Sequence, residues 1–222
     1  EDHFVVGAEG IHSQTREFLF GKKEMKSTKW GGWVWWVDPK LMPQNTAKEY
    51  WAGGKFMGLY PAKGSLMVIV GMPTKDMEGD KKKPSADFLK KKFSDLGPEA
   101  PKIFSKLNNK EKFFYWGFED LRQTEWYKGR VVLMGDASNA ILPTAGVGTT
   151  CAMESAAVLA DELRRVDANS VEKALELYFK RRFSRVDKMQ KESRFVAKLI
   201  FIISHLPSGR DPREPLQEEL WN

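Results

Sequence analysis

The sequence predicts an α/β fold of the α+β kind, in which strands and helices form separate layers. Three observations predict it. A short apolar run bounded by glycines, Val131–Met134, precedes a helix with a small apolar face. A middle segment, Trp30–Pro73, is rich in strand-forming aromatic residues, and Gly53-Gly54 interrupts it as a hairpin turn would. A long helical pattern then covers Val171–Ile203, with room for one break.

The remaining elements follow from turn and cap signals. Phe4-Val5-Val6 reads as a strand, and a turn at Gly7–Gly10 leads into a helix toward Phe20. Further along, the pattern predicts a strand at Leu66–Val70, a helix at Ala86–Leu96 behind the N-cap Ser85, a short helix at Pro101–Leu107 and a strand at Phe113–Phe118. Ser170 is the expected cap of the long helix, and the tail Pro207–Asn222, which holds three prolines, is expected to be irregular.

The stretch after the apolar run has the order strand, acidic residue, glycine loop, helix. Asp136 stands where the strand ends, a position from which side chains commonly reach a ligand. Gly146 and Gly148 permit a close approach of backbone, and the helix after them directs unpaired N–H groups toward a ligand. The pattern therefore predicts a site for an anionic or carbonyl-rich cofactor. The alternative, equally open on these grounds, is that the glycines serve turn geometry only.

Two motifs carry a resemblance to a known family. Gly135-Asp136-Ala137 with Pro143 and Gly146-x-Gly148 resembles the second flavin motif of the FAD-dependent aromatic hydroxylases, the para-hydroxybenzoate hydroxylase-like monooxygenases. The run from Val6 to Arg16, with Glu9-Gly10 where Asp-Gly is usual, resembles that family's other internal motif. The two motifs stand in the family's order, and the resemblance covers nearly the whole chain.

The resemblance implies a fold and a division of the chain. It implies an incomplete FAD-binding Rossmann-like layer, an antiparallel-sheet substrate domain and a long C-terminal helix. Residues 1–26 and 124–168 would form the partial FAD-binding domain, residues 27–123 the substrate domain, and residues 169–222 a C-terminal helical segment with its tail. The family's sheet forms the floor of the substrate pocket and covers one side of the flavin ring.

The resemblance also implies the site residues. The cofactor-binding residues are Glu9, Gly10, Arg16, Gly135, Asp136, Pro143, Gly146, Val147, Gly148 and Thr149. Trp33, Trp35 and Trp36 are expected in the substrate pocket, with plain core packing as the alternative. No catalytic side chain is assigned, because the cofactor performs the hard step. No metal site is expected, since His3, His12 and His205 are scattered and have no cysteine at ligand spacing.

Several positions depart from the family pattern. Glu9 adds one methylene to the usual aspartate, so its carboxylate would reach too far or refold the turn. Asn139, Thr150 and Ser155 stand where His, Asn and Asp are common. The family's first unit, a strand–GxGxxG–helix for the adenosine half of FAD, has no counterpart here. We therefore expect a later portion of a longer flavoprotein, whose partner is the missing FAD domain or a second chain, and which alone binds FAD weakly or not at all.

Composition narrows the function classes. The 222 residues suffice for one large or two small domains, and a single cysteine, Cys151, suits a reducing, cytoplasmic compartment. The formal net charge of +6 comes from lysine clusters interspersed with acidic residues, which is typical of solvated faces. No nucleic-acid-binding module is recognisable. The apolar end of the long helix, Leu199–Ile203, is short, and packing against protein ranks above membrane contact.

The function implied by the resemblance is that of an FAD-dependent monooxygenase. NAD(P)H would reduce the flavin, and O₂ would then supply the oxygen atom that hydroxylates an aromatic or other apolar small molecule. Two alternatives stay open at this point. One is a related FAD-dependent epoxidase, reductase or halogenase. The other is a degenerate, non-catalytic remnant that acts as a binding module.

Overall fold

The structure, a computed structural model, describes residues 3–43 and 45–204. The expectations for His205 and for the tail 207–222 lie outside this range. The strands are β1 (Val5–Gly7), β2 (Lys26–Val37), β3 (Lys48–Ala52), β4 (Lys55–Ala62), β5 (Ser65–Pro73), β6 (Phe114–Arg122), β7 (Tyr127–Lys128) and β8 (Val131–Leu133). The helices are α1 (Gln14–Phe20), α2 (Ala86–Phe93), α3 (Ala100–Ser105), α4 (Asp136–Asn139), α5 (Gly148–Leu163) and α6 (Val171–Ser204). The predicted fold class is confirmed.

The chain divides into two compact units. Of the described residues, the first unit holds 3–28 and 118–198, and the second holds 29–117 with 199–204. Most of α6 therefore belongs to the first unit, whereas the sequence-based division set residues 169–222 apart.

In the first unit, three short strands form a sheet in the order β1-β8-β7. β1 and β8 are parallel, and Val5, Val6 and Gly7 stand opposite Val131, Val132 and Leu133. The two apolar runs are therefore neighbours, although the sequence separates them by more than a hundred residues. β7 pairs antiparallel with β8 and was not predicted, because a strand of two residues is too short to display an alternation of apolar and polar residues.

The long helix α6 packs on this sheet without a break. It has 34 residues and contains neither proline nor glycine, so nothing in its sequence interrupts the helix. Tyr178 of α6 and Trp126 are fully buried in a core that also includes Val132 and Leu159. The expected cap Ser170 ends a 3₁₀ turn in which Asp167 accepts from the backbone N–H groups of Asn169 and Ser170. Within the described residues, no helix is both long and apolar enough to span a membrane.

The second unit is built on an antiparallel sheet in the order β3-β4-β5-β2-β6, whose last strand ends in the first unit. Ala52 pairs with Lys55, so β3 and β4 are joined by a two-residue turn. Gly53 and Gly54, the turn residues, both have positive φ (58° and 69°), the backbone that a type I′ hairpin requires. This confirms the predicted hairpin.

One face of this sheet is covered by α2 and α3. Ser85 caps α2 as predicted, since its hydroxyl accepts from the Phe88 N–H at 3.1 Å. Both helices are shorter than predicted, because α2 already ends at Phe93 and α3 at Ser105. The buried side chains of α2 and α3 share one hydrophobic core with four residues of the sheet, Trp33, Trp35, Val68 and Val70.

Candidate functional site

The turn from β8 into α4 presents an acidic side chain. Gly135, with φ 62° and ψ −140°, turns the chain between the strand and Asp136, the first residue of α4. The Asp136 side chain is exposed and accepts no hydrogen bond from any described residue, while partial desolvation raises the pKa of its carboxyl group. Its carboxylate is therefore available to an incoming donor.

The start of α5 lies beside this turn. Val147 is the N-cap residue and makes no side-chain capping bond, so the first N–H groups of a 16-residue helix lack a side-chain partner. A Cβ added at Gly148 would meet no atom within 4 Å, which leaves backbone open to a ligand. Asp136 and Gly148 line one small cavity of about 10 Å³ together with Asn139. Gly135 lines it too, so the structure brings three of the predicted cofactor residues together.

The loop before α5 places three further predicted residues. Pro143 begins a 3₁₀ turn that ends at Gly146, which adopts the left-handed conformation with φ 64° and has no neighbour within 4 Å of an added Cβ. Val147 follows it, and Thr149 is exposed in the first turn of α5. The loop and the helix start therefore form one continuous stretch of accessible backbone.

Arg16 connects the two motifs. Although it is buried, its guanidinium donates to the carbonyl of Ala137 (3.0 Å) and to that of Ile11 (2.6 Å). The first carbonyl belongs to the Asp136 turn and the second to the loop after β1. Arg16 therefore positions both motifs and does not itself face an open surface. Its predicted role of holding the loop agrees with these contacts, and direct contact with a cofactor stays a prediction.

Glu9 is directed toward its own chain. Its carboxylate accepts from the Ser13 hydroxyl (2.9 Å), from the Thr15 backbone N–H (3.0 Å) and from the Thr15 hydroxyl, so it holds the first turn of α1, whose N-cap residue is Ser13. Partial desolvation raises its pKa, but the hydrogen bonds from Thr15, from backbone N–H groups and from Ser13 together lower the pKa to about 2. Glu9, which is one methylene longer than the usual aspartate, therefore uses its carboxylate to hold the first turn of α1. Gly10 beside it has φ 83° and open space around an added Cβ.

The depressed pKa of Glu9 predicts a pH-dependent effect of Glu9→Gln. A carboxyl whose folded pKa lies below its ordinary value stabilises the fold above pH 4.5, and this contribution is lost as the pH falls through about 2. We expect the variant to lower the free energy of unfolding by less than about 1 kcal/mol at pH 6, because the group is exposed, and by only a small part of that amount at pH 2. Urea unfolding at both pH values measures this, with Glu24→Gln as the control. A difference that is the same at both pH values contradicts the prediction.

The sequence reasoning missed the residues that hold the loop in place. Gln190 of α6 is buried and donates to the carbonyls of Leu121 and Ala140, both at 2.7 Å, and accepts from the Asn139 amide at 3.1 Å. One turn further along α6, the buried Ser193 hydroxyl donates to the Leu142 carbonyl at 2.8 Å. These bonds are long-range, so no local pattern in the sequence indicates them.

The three tryptophans expected in a substrate pocket lie on two different faces of the sheet. Trp33 and Trp35 are 0% and 1% exposed and pack edge-on or tilted against Phe88 and Phe104 in the core. Core packing, the alternative considered for them, accounts for both. Trp36 is 54% exposed and lies on the opposite face. Strand alternation separates them, since successive side chains of β2 point to opposite sides.

The face that carries Trp36 lies opposite α2 and α3 and is called the open face below. Trp36 and Glu49 are its exposed members, whereas Val34 and Phe56 are buried in it. Trp30, further along β2 on the same side, stacks on Phe201 of α6 with ring centroids 4.4 Å apart. Three register rows cross this face. The first, on three strands, holds Trp36, Met67 and Tyr60; the second and third, on four strands, hold Val34, Ile69, Gly58 and Glu49, and Gly32, Gly71, Phe56 and Trp51. Trp51 stacks on Phe56 with ring centroids 4.7 Å apart. The face is therefore an aromatic and aliphatic surface on the second unit.

Comparison with known proteins adds to this geometry. The family described as FAD binding domain matches residues 2–193. The putative FAD-dependent monooxygenase YetM of Bacillus subtilis (strain 168) is 30% identical over 199 residues, which cover 84% of this chain and 51% of that protein. The 2-heptyl-3-hydroxy-4(1H)-quinolone synthase of Pseudomonas aeruginosa is 26% identical over 198 residues, 88% of this chain and 51% of that enzyme. The chain spans about half the length of these relatives.

Solved structures share the fold. Klebsiella pneumoniae HpxO, complexed with FAD and uric acid, superposes with a TM-score of 0.77 at 23% identity, over 89% of this chain and 51% of that one. Pseudomonas aeruginosa PqsL, in complex with 2-aminobenzoylacetate, gives 0.77 at 22% identity, over 91% and 57%. The fold is thus that of the FAD-dependent monooxygenases. The chain belongs to the FAD binding domain family, the aromatic hydroxylase-like flavin monooxygenases, and the resemblance seen in the sequence is confirmed.

The residues present fit one part of FAD. An open carboxylate at Asp136 suits a hydroxyl donor, and the uncapped start of α5 with the open backbone of Gly148 suits a carbonyl or anionic edge. This is the donor and acceptor set that the flavin and its sugar-alcohol linker require. A cradle for the adenosine half is not among the sequence motifs.

Proposed function

We propose that this chain forms the flavin-ring and substrate part of an FAD-dependent monooxygenase that uses NAD(P)H and O₂ to hydroxylate an aromatic or other apolar small molecule. One observation carries the proposal. The parallel pairing of β1 with β8 brings the Arg16 motif against the Asp136 turn, next to the uncapped start of α5. When bound there, FAD would supply hydride acceptance from NAD(P)H and the activation of O₂ for oxygen transfer.

The chain's own residues would bind and orient the cofactor. Asp136 would accept from a hydroxyl of the sugar-alcohol linker, and the N–H groups from Val147 to Thr149 would face the carbonyl edge of the ring system, while the Gly146 N–H stays bonded to the Pro143 carbonyl. Negative charge that develops on that edge would be stabilised by those N–H groups. Pro143 would shape the wall beside the ring, and the open face would contact the apolar substrate. A cytoplasmic location belongs to the proposal, since the single thiol, Cys151, is free and buried.

Activity is tested on a joined protein, in which the N-terminal half of the B. subtilis relative precedes this chain. We expect the joined protein to bind FAD stoichiometrically, to oxidise NAD(P)H with consumption of O₂, and to add one oxygen atom from ¹⁸O₂ to an aromatic product. The chain alone should bind FAD weakly or not at all. Product analysis separates hydroxylation from epoxidation, reduction and halogenation. A joined protein that folds and binds no flavin would favour the non-catalytic binding module.

Gly148→Ala separates binding from folding. We expect the unfolding free energy of the variant to stay within about 0.5 kcal/mol of that of the parent chain, because the added methyl has no atom within 4 Å. The same methyl should obstruct the cofactor and weaken FAD binding to the joined protein by about tenfold, or 1.4 kcal/mol. Gly135→Ala is the matched control, since its φ of 62° strains any side chain and should lower stability. Unchanged flavin affinity in Gly148→Ala contradicts the proposed placement.

A further inference from the structure

The open face carries one charged side chain, Glu49 on the edge strand β3. The other members of its three register rows are apolar, aromatic or glycine. Val37 and Asp38 follow Trp36 at the end of β2, so no cation stands there either. Any ligand that rests on this face therefore meets negative charge and aromatic rings, and no lysine or arginine of the three rows.

The Glu49 carboxylate is held in place by two donors of the same face. The Trp51 indole N–H donates to one oxygen at 3.1 Å, and the Tyr60 hydroxyl donates to the other. The Tyr60 ring lies across Gly58, where an added Cβ would come within 2.5 Å of the ring. Burial, and after it the hydrogen bond and charge of Glu49, raise the pKa of Tyr60, so its hydroxyl remains a donor at neutral pH. The carboxylate is thus oriented by neighbours and is still exposed.

The Glu49 carboxylate and the Trp36 ring both favour a cationic ligand over an anionic one. A carboxylate attracts an ammonium or a polarised N–H or O–H donor and repels another carboxylate. The exposed face of Trp36 also attracts cations through its ring electrons. An aromatic carboxylate, in contrast, would need a cationic partner to offset its desolvation, and the three rows provide none.

We propose that the open face selects an aromatic substrate that is cationic or neutral with a hydrogen-bond donor, that it rejects aromatic carboxylates, and that Glu49 determines this specificity. This inference rests on the proposed function, in which the open face holds the substrate. It names the class of substrate for that same site.

The test uses the 222-residue chain with ¹⁵N-labelled tryptophan side chains. Three probes of matched shape are titrated at low salt: 4-methylbenzylammonium, 4-methylbenzyl alcohol and 4-methylbenzoate. The Trp51 indole N–H, which bonds to Glu49, reports binding at the face by its chemical shift. We expect the ammonium probe to bind about tenfold more tightly than the benzoate, because attraction and repulsion by one exposed carboxylate add. The alcohol should lie between them.

The variant Glu49→Gln keeps the shape and one of the two acceptor oxygens, offers an NH₂ group to the Tyr60 hydroxyl in place of the other, and removes the charge. We expect the ammonium-to-benzoate preference to fall to about threefold or less, the remainder coming from the rings. Glu111→Gln in the same unit is the control and should keep the full preference. Equal or tighter binding of benzoate to the parent chain, or an unchanged preference in Glu49→Gln, overturns this inference and leaves the proposed function standing. If none of the three probes shifts the Trp36 or Trp51 signals, the face is not a substrate site, and both proposals about it are wrong.

Discussion

Arg194→Met is expected to lower the free energy of unfolding by about 3 kcal/mol, because it leaves a buried carboxylate without its countercharge. Asp120 near the end of β6 is 2% exposed, and one of its oxygens accepts from the Arg194 Nε of α6. Its other oxygen has no hydrogen-bond partner among the described residues. The full desolvation cost of the charge therefore remains when the guanidinium is removed.

Urea unfolding followed by circular dichroism measures the effect. Lys188→Met on the same helix is the matched control, since Lys188 is exposed and its pair with Glu192 is long, at 3.8 Å; it should change stability by less than about 0.5 kcal/mol. The double variant Asp120→Asn with Arg194→Met should recover much of the loss, because no unpaired charge is then buried. A loss below about 1 kcal/mol in the single variant would show that the ion pair does not anchor α6.

The parts of the fold that local chemistry dictates could be predicted from the sequence. Two glycines between strand-forming runs allow few conformations other than a tight hairpin, and the φ values of Gly53 and Gly54 show the result. Short runs of apolar, mostly β-branched residues followed by glycine likewise predicted the strands β1 and β8. The order of the Asp136 turn, the glycine loop and α5 was likewise visible in the chain.

Features that depend on distant partners could not be predicted. Strand alternation divides Trp35 and Trp36 between two faces, but only the position of α2 and α3 decides which face is buried. The sequence showed that Glu9 is longer than the usual aspartate, yet not that Ser13 and Thr15 would hold its carboxylate. Gln190 and Ser193 look like ordinary polar positions of a helix until their bonding partners, fifty or more residues away, are known.

The acidic side chain beside the helix start gives the sharpest test of the cofactor site. Asp136→Ala in the joined protein is expected to weaken FAD binding by roughly tenfold to a hundredfold. A carboxylate that accepts from a hydroxyl makes a charge-assisted bond worth about 1.5–3 kcal/mol, and 1.4 kcal/mol corresponds to tenfold. Flavin fluorescence titration measures the change.

Asp136→Ala should weaken FAD binding without lowering the stability of the fold. Desolvation raises the pKa of the Asp136 carboxyl group, so its ionised form destabilises the fold increasingly as the pH rises through that pKa. Removing the group should therefore leave the melting temperature of the chain at pH 7 unchanged or raise it. Asp167→Ala is the matched control, because Asp167 caps the 3₁₀ turn before α6; it should cost about 1 kcal/mol and leave flavin affinity intact. If Asp136→Ala instead lowers stability and binds FAD like the parent, Asp136 serves the turn and not the cofactor.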